Sequence, residues 1–297
     1  MISVILPCYR EPPNMFQQAL ESIIQQTYKN LEVIVIMDGP NTELENVLNT
    51  YQKRDARIHY YVNEMNQGLP YSLNRGISLA TGEYIARMDA DDICLPERFD
   101  KELKYLKDNH LDLVGTYCEK ISDAGVPVGF MYSPTSPYEI YMALPKGNCL
   151  WHPTWLFRKE VWERVGGYDN FRHCQDYHFL LKCRKMEVRL GVLPEVCLKY
   201  RLSAGGIGRQ KFSSYPVTAE YFAEHAEDIL DITPDTLKAF LDSAEGKSRM
   251  QEINTYINLR DQFKKSVWNM PWYGAQMFCL AYGRKRLYEK IKSYFKS

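Results

Sequence analysis

The run Leu31-Glu32-Val33-Ile34-Val35-Ile36-Met37 is apolar at every position but Glu32 and stops abruptly at Asp38-Gly39-Pro40. A strand with no polar face has to be buried on both sides, the condition of a central strand in a parallel sheet covered by helices. The surrounding sequence repeats the pattern. Ile2-Ser3-Val4-Ile5-Leu6 is a β-branched run halted at Pro7. Over 13–26 the residues Met15, Phe16, Ala19, Leu20, Ile23 and Ile24 recur at helical spacing. Thr42-x-x-Glu45 has the form of a capping box ahead of Leu44, Val47, Leu48 and Tyr51. A strand over 57–62 and a helix carrying Leu69, Leu73, Ile77 and Ala80 then lead to Tyr84-Ile85-Ala86-Arg87-Met88, another strand. Such alternation predicts an α/β fold, a mostly parallel sheet with helices on both faces.

In open parallel sheets, ligands bind beyond the carboxyl ends of the strands. Three of the expected strands end in polar groups: Pro7–Glu11, Asp38-Gly39 and Asp89-Ala90-Asp91-Asp92. If sheet order makes these strands neighbours, one crevice receives all three. Carboxylates there suit a hard divalent cation, because Mg²⁺ and Mn²⁺ prefer oxygen ligands and share them with substrate phosphates. The competing reading is that Asp92 caps a helix opened by Pro96 while Asp89 and Asp91 solvate a turn.

With 297 residues there is room for one large domain and an appendage. Lys+Arg 37 balances Asp+Glu 37, so no global field points to nucleic acid. The eight cysteines form no C-x-x-C pair, as expected of reduced thiols in a cytoplasmic chain. Ile2–Leu6 is too short for a signal-peptide core, and no apolar run approaches the roughly 20 residues needed to span a bilayer.

The second half changes character. Strands are expected over 111–118, 126–132, 154–157, 188–193 and 196–202, with short helices at 137–144 and 159–165 and another from Asp176. Ser203–Gly208, SAGGIG, reads as a lid candidate. Helices are expected from Tyr215 onward. The tail 284–296 is basic on one face and apolar on the other, a pattern of a docked terminal helix or of one resting on the anionic inner face of a membrane. The expected domains are 1–210, with a nucleotide half at 1–92 and an acceptor half at 93–210, and a helical region at 211–297.

Taken together, VILPCYRE (4–11), LEVIVIMDG (31–39), NQGLPYSLNRGI (66–77), ATGEYIARMDADD (80–92), WHPTWLFRKEVWERVGGYD (151–169) and QDYHFLLK (175–182) resemble, in order and spacing, the inverting glycosyltransferase family 2 with the GT-A fold. The resemblance spans roughly residues 1–205. It implies transfer of a sugar from a UDP-sugar to a hydroxyl of a glycan, glycopeptide or lipid-linked acceptor, with Mn²⁺ or Mg²⁺ as cofactor. Position by position it assigns Pro7, Tyr9, Glu11, Asp38, Asn66, Gly68, Asn74, Asp89 and Ala90 to the donor nucleotide, with Asp38 accepting a uracil imide N–H. Asp91 and Asp89 would hold the metal, and Asp176 would be the general base. His152, Gln175 and Arg201 match positions near the sugar or diphosphate. Where the family commonly has Glu, this chain has Gln175. The Gln-x-x-Arg-Trp motif and membrane spans of processive relatives are missing, so a single addition is expected. Two rival readings remain: a catalytically silent nucleotide- or partner-binding relative, and a sugar nucleotidyltransferase, whose Gly-rich basic loop is not found after the first strand.

Overall fold

The computed structural model describes residues 1–202 and 214–265. Its sheet grows outward from β1 (Ile2–Cys8), which pairs in parallel with β2 (Leu31–Met37) on one side and with β4 (Tyr84–Arg87) on the other. β3 (Ile58–Val62) adds in parallel beyond β2. Along the sheet the order is therefore β3-β2-β1-β4, and it reverses between β1 and β4. Such a reversal splays the two following connections apart and opens a crevice. The carboxyl ends of β1, β2 and β4 are neighbours, as convergence of the three polar strand ends requires.

Beyond β4 the sheet becomes mixed. β8 (Leu156–Arg158) runs antiparallel to β4 and to β6 (Leu113–Ile121); β6 then pairs in parallel with β9 (Leu190–Arg201), and β5 (Ile93–Cys94) closes the far edge. β7 (Pro127–Met131) forms a hairpin with β6. The two strands expected over 188–193 and 196–202 are one strand, β9, whose register against β6 slips near Tyr117. The strand expected over 154–157 starts only at Leu156, because His152–Thr154 is a 3₁₀ turn.

The helices are α1 (Pro13–Ile24), α2 (Thr42–Arg54), α3 (Leu69–Leu79), α4 (Arg98–Asp108), α5 (Pro137–Ala143), α6 (Lys159–Val165) and α7 (Gln175–Lys185). α2 is capped by Asn41, whose side chain accepts from the N–H groups of Glu43 and Leu44, and not by the expected box at Thr42. β1 runs through Pro7 where a stop was expected. Its pairing with β4 ends at Ile5↔Arg87, so a residue without an N–H is tolerated farther along. α3 lies so close to the sheet that a Cβ on Gly76 would come 2.7 Å from Ile5 Cγ2 and 3.2 Å from Ile36 Cγ1. Gly76→Ala should therefore destabilise by about 1–3 kcal/mol, measured by denaturant titration; an unchanged midpoint would mean that α3 can lift off the sheet freely.

Two compact units result, Met1–Gln210 with Phe222–Asp231, and Lys211–Tyr221 with Ile232–Ser297. Phe222–Asp231 belongs to the first unit, whereas the sequence reading assigned everything after residue 210 to the second. The reason is packing: Phe222 meets the rings of Phe171 and His178 at 5.0 and 5.1 Å, and His178 Nε2 bonds to the Ile229 carbonyl. In the second unit, α8 (Ser214–Glu224), up to Tyr221, and α10 (Ala244–Lys265) bury Val217 and Ile253, and α9 (Pro234–Asp242) adds Phe240 and Leu241 against them. The lid candidate at 203–208 and the basic tail at 284–296 lie outside the described residues. Among the described residues all seven cysteines are free, and no helix is long and apolar enough to cross a membrane.

Candidate active site

Beyond the end of β1, Tyr9 N–H donates to Glu11 Oε2 at 2.7 Å, folding the chain back so that this carboxylate faces inward. Burial, then the charges of Asp91 and Asp89, push the Glu11 carboxyl up, against the pull of backbone N–H groups. Tyr9 lines an open cavity of about 300 Å³ with Arg10, Gly39, Asn41, Met65 and Asn66. Pro7 is buried within β1.

Asp38 is buried at the end of β2. Its Oδ1 accepts from Asn63 Nδ2 at 2.7 Å and Gln67 N–H at 2.9 Å, and its Oδ2 accepts from Gly68 N–H at 2.9 Å. A carboxylate offers about four acceptor positions, so one is left. Gly68 sits at φ +90°, a conformation that a side chain would strain, and it opens α3. Asn74 lies farther into α3 and does not open toward that cavity. Its Oδ1 accepts from Trp162 Nε1 and Tyr168 N–H, and its Nδ2 donates to Tyr168 O at 2.7 Å. It braces the turn after α6, so its influence on a donor would pass through Tyr168.

After β4 come the carboxylates of Asp89, Asp91 and Asp92, with Ala90 buried between them. Asp92 does not cap a helix. It is fully buried, its Oδ1 accepts from Arg201 N–H at 2.7 Å, and α4 begins only at Arg98. Burial, then Asp89 and Asp91, push its carboxyl well up. Arg201, expected near the diphosphate or in a structural role, acts here as a clamp. Its guanidinium donates to the carbonyls of Asp91, Ser122 and Asp123 and to Gln18 Oε1 at 2.7–3.3 Å, tying the acidic turn to the β6–β7 turn and to α1.

Arg87, the last residue of β4, was absent from the expected site. Its side chain is 3% exposed, and Nη2 lies 2.5 Å from Asp89 Oδ1. Nε and Nη1 are buried and find no partner among the described residues. The signal was available, since an arginine inside an apolar strand cannot be buried without a counter-charge or a ligand. Its charge acts on His152 and Asp176. Burial, with the Arg87 cation beside it, pushes the His152 imidazole well down, so it is neutral; its Nε2 hydrogen-bonds to Tyr168 Oη at 2.9 Å.

α7 starts from Cys174, at φ 60°, with Gln175 and Asp176 in its first turn. A carboxylate there meets the positive end of the helix. Desolvation pushes the Asp176 carboxyl up despite N–H groups of Tyr177 and Asp176 and the Arg87 cation, which pull it down; Asp89 adds to the rise. Asn148 Nδ2 donates to Asp176 Oδ2 at 2.7 Å. Arg87 thus pairs with Asp89 while its charge acts on His152 and Asp176, so the acidic turn and the α7 carboxylate influence one another electrostatically.

The sequence profile of Glycosyl transferase family 2 matches residues 3–166. The chain belongs to that family. It is 33% identical over 205 residues to the O-antigen biosynthesis glycosyltransferase WbnJ of Escherichia coli, covering 68% of this chain and 80% of WbnJ. As a member it is a glycosyltransferase, with the GT-A fold of the solved relatives. S. aureus TarS 1-349 in complex with UDP-GlcNAc superposes with a TM-score of 0.62 at 17% identity, over 94% of this chain and 81% of that one. The mannosyltransferase PcManGT of Pyrobaculum calidifontis, in complex with GDP-Man and Mn²⁺, superposes with a TM-score of 0.59 at 18% identity, over 96% of this chain and 82% of its own.

Proposed function

We propose that this family 2 member transfers a single hexosyl residue from a UDP-sugar to an acceptor hydroxyl, with inversion, using Mn²⁺ or Mg²⁺, in the assembly of a surface polysaccharide or glycoconjugate. One observation supports the reading: β2, β1 and β4, whose ends lead to Asp38, Glu11 and the Asp89–Asp92 turn, are neighbours in the sheet, and the charges of Arg87 and Asp89 act on the Asp176 carboxyl. The name of WbnJ supports the polysaccharide setting, and the nucleotide-sugars in the TarS and PcManGT complexes support the donor class.

The acidic turn fits a divalent cation. Burial first raises the Glu11 and Asp92 carboxyls, and the charges of Asp89 and Asp91 raise both further, so several carboxylates act on one another there. Among the described residues no group of three or more His, Cys, Asp or Glu could hold a metal unaided. That suits a cation held by one or two carboxylates and completed by substrate phosphates. Asp91 and Asp89 would hold it, and Arg201 fixes their turn through the Asp91 carbonyl. When bound, such a cation offsets the charge that develops on a departing diphosphate.

The chain's own residues do the rest. Tyr9 and Asn66 wall the cavity proposed for uracil, and Asp38 keeps one acceptor position for its imide N–H. Asn148 fixes one oxygen of Asp176, leaving the other to take the proton of the acceptor hydroxyl as its oxygen bonds to the anomeric carbon and the diphosphate leaves.

Calorimetry with UDP, GDP and CMP, with and without Mn²⁺, tests this. UDP should bind more tightly with Mn²⁺, and Asp91→Asn should reduce that gain by at least about tenfold, the lower range for disturbing a metal's surroundings. Equal binding of the three nucleotides, or a gain that survives Asp91→Asn, would refute it.

A further inference from the structure

Asn148 belongs to two things at once. Its Oδ1 accepts from Leu150 N–H at 3.1 Å, which turns its Nδ2 toward Asp176 Oδ2 at 2.7 Å. It also forms one end of an open cleft of about 510 Å³, whose other walls are Tyr138, Glu139, Met142 and Ala143 of α5 and the turn at Lys146-Gly147. A second tether ties the cleft to the same helix. Tyr177, next to Asp176, donates its hydroxyl to the Leu144 carbonyl at 2.6 Å, at the start of the 3₁₀ turn Leu144–Lys146 that carries the chain toward Asn148. Consecutive residues of α7 thus hold Asn148 at the cleft's end and the start of the turn that leads to it, which ties this wall of the cleft to the helix that carries Asp176.

The lining has a definite chemistry. α5 is held by the capping box of Ser136 and Glu139, and of its residues only Ile140 is buried. Tyr138 is 73% exposed and Met142 47% exposed, both on the cleft. Tyr141 is occupied elsewhere, with the Arg184 guanidinium 4.1 Å from its ring centroid. The cleft therefore offers an aromatic ring and a thioether as an apolar wall, with Lys146 and Asn148 as hydrogen-bonding ends. An aromatic face bordered by polar groups suits a ring that is apolar on one face and carries hydroxyls at its edge, and the volume falls within the roughly 300–1,000 Å³ of small-molecule sites.

We infer that the cleft between α5 and Asn148 is the acceptor subsite, taking a pyranose ring of the acceptor glycan against Tyr138 and Met142 so that its free hydroxyl reaches Asp176. The inference rests on the proposed role of Asp176 as base. It also gives Asn148 a dual task, as a wall of the acceptor subsite and as the group that orients the base.

Methyl-labelled methionine provides a reporter inside the cleft. A panel of p-nitrophenyl α- and β-hexopyranosides is titrated into UDP- and Mn²⁺-loaded protein while the Met142 methyl signal is followed, and active members of the panel are then used as acceptors. At least one pyranoside should shift the Met142 signal saturably. Tyr138→Ala, at a highly exposed position, should raise that pyranoside's Kd and KM at least tenfold while lowering kcat less. Val128→Ala on the exposed edge of β7 serves as the control and should leave KM unchanged. If no pyranoside moves Met142, or if Tyr138→Ala keeps the wild-type KM, the subsite is elsewhere. Failure of the wild-type protein to bind UDP at all would overturn the donor reading beneath it, an outcome distinct from UDP binding with a silent Met142.

Discussion

Replacing Asp176 by Asn is expected to lower kcat for sugar transfer by about 10²–10⁴-fold, the usual contribution of a positioned general base. The replacement is nearly isosteric. Asn at 176 can still accept from Asn148 Nδ2 and still occupies the first turn of α7, so the fold and the binding of UDP with Mn²⁺ should persist. What is lost is an oxygen able to take a proton. The pH profile gives a second reading of the same group. Desolvation raises the Asp176 carboxyl, so its ionisation should fall above the ordinary carboxylate value of about 3.9. Below that ionisation the carboxyl is protonated and cannot act as base. The wild-type kcat should therefore climb with pH along an acid limb that Asp176→Asn lacks. Wild-type turnover in the Asn variant, or an identical acid limb in both proteins, would remove Asp176 from the chemistry.

The second large effect concerns stability beneath the site. Arg98 Nε and Glu102 Oε1 lie 2.9 Å apart on α4 with both side chains fully buried. The same guanidinium donates from Nη2 to the Arg87 carbonyl at 3.0 Å and from Nη1 to Cys94 Sγ at 3.4 Å. Glu102→Ala leaves this cation buried and unpaired. Loss of one partner of a buried pair costs about 3–5 kcal/mol, which for a domain of this size is a fall in Tm of roughly 6–20 °C. The double replacement Arg98→Met with Glu102→Leu should recover most of that, short of the hydrogen bond to the Arg87 carbonyl, because a well-packed apolar pair avoids the desolvation penalty. A Glu102→Ala protein that melts with the wild type would mean the pair is not the fastening it resembles.

The first ninety or so residues were legible because a parallel sheet buries its strands on both faces and writes them as near-continuous apolar runs. β2 is read without error for that reason. The convergence of Pro7–Glu11, Asp38 and Asp89–Asp92 followed once strand order was known. Less could be read from the second half. β8 has three residues and β9 changes register in mid-course, so neither leaves a periodic trace. Contacts between distant residues were equally hidden. Arg201 reaches the Asp91 carbonyl across 110 residues, and Asn74 reaches Tyr168 across 94. A motif supplied positions for both, while only the packing reveals that both act as braces. Asn148 sits in an irregular segment with no periodicity to mark it. Arg87 was the one miss with a visible cue.

That arginine also bears on how the protein could change over time. Among the described residues two of its three nitrogens find no hydrogen-bond partner, although the side chain is almost wholly out of water. Buried donors left unmatched cost about 1–3 kcal/mol each until some oxygen, of water or substrate, meets them. Replacement of a buried ion pair by apolar side chains of similar size is often neutral or stabilising. Replacing Arg87 and the carboxylates around it by apolar side chains of similar size should therefore raise the melting temperature, at the expense of the chemistry proposed for that turn. A chain tuned for heat resistance alone would gain from losing the costly cation at the end of β4.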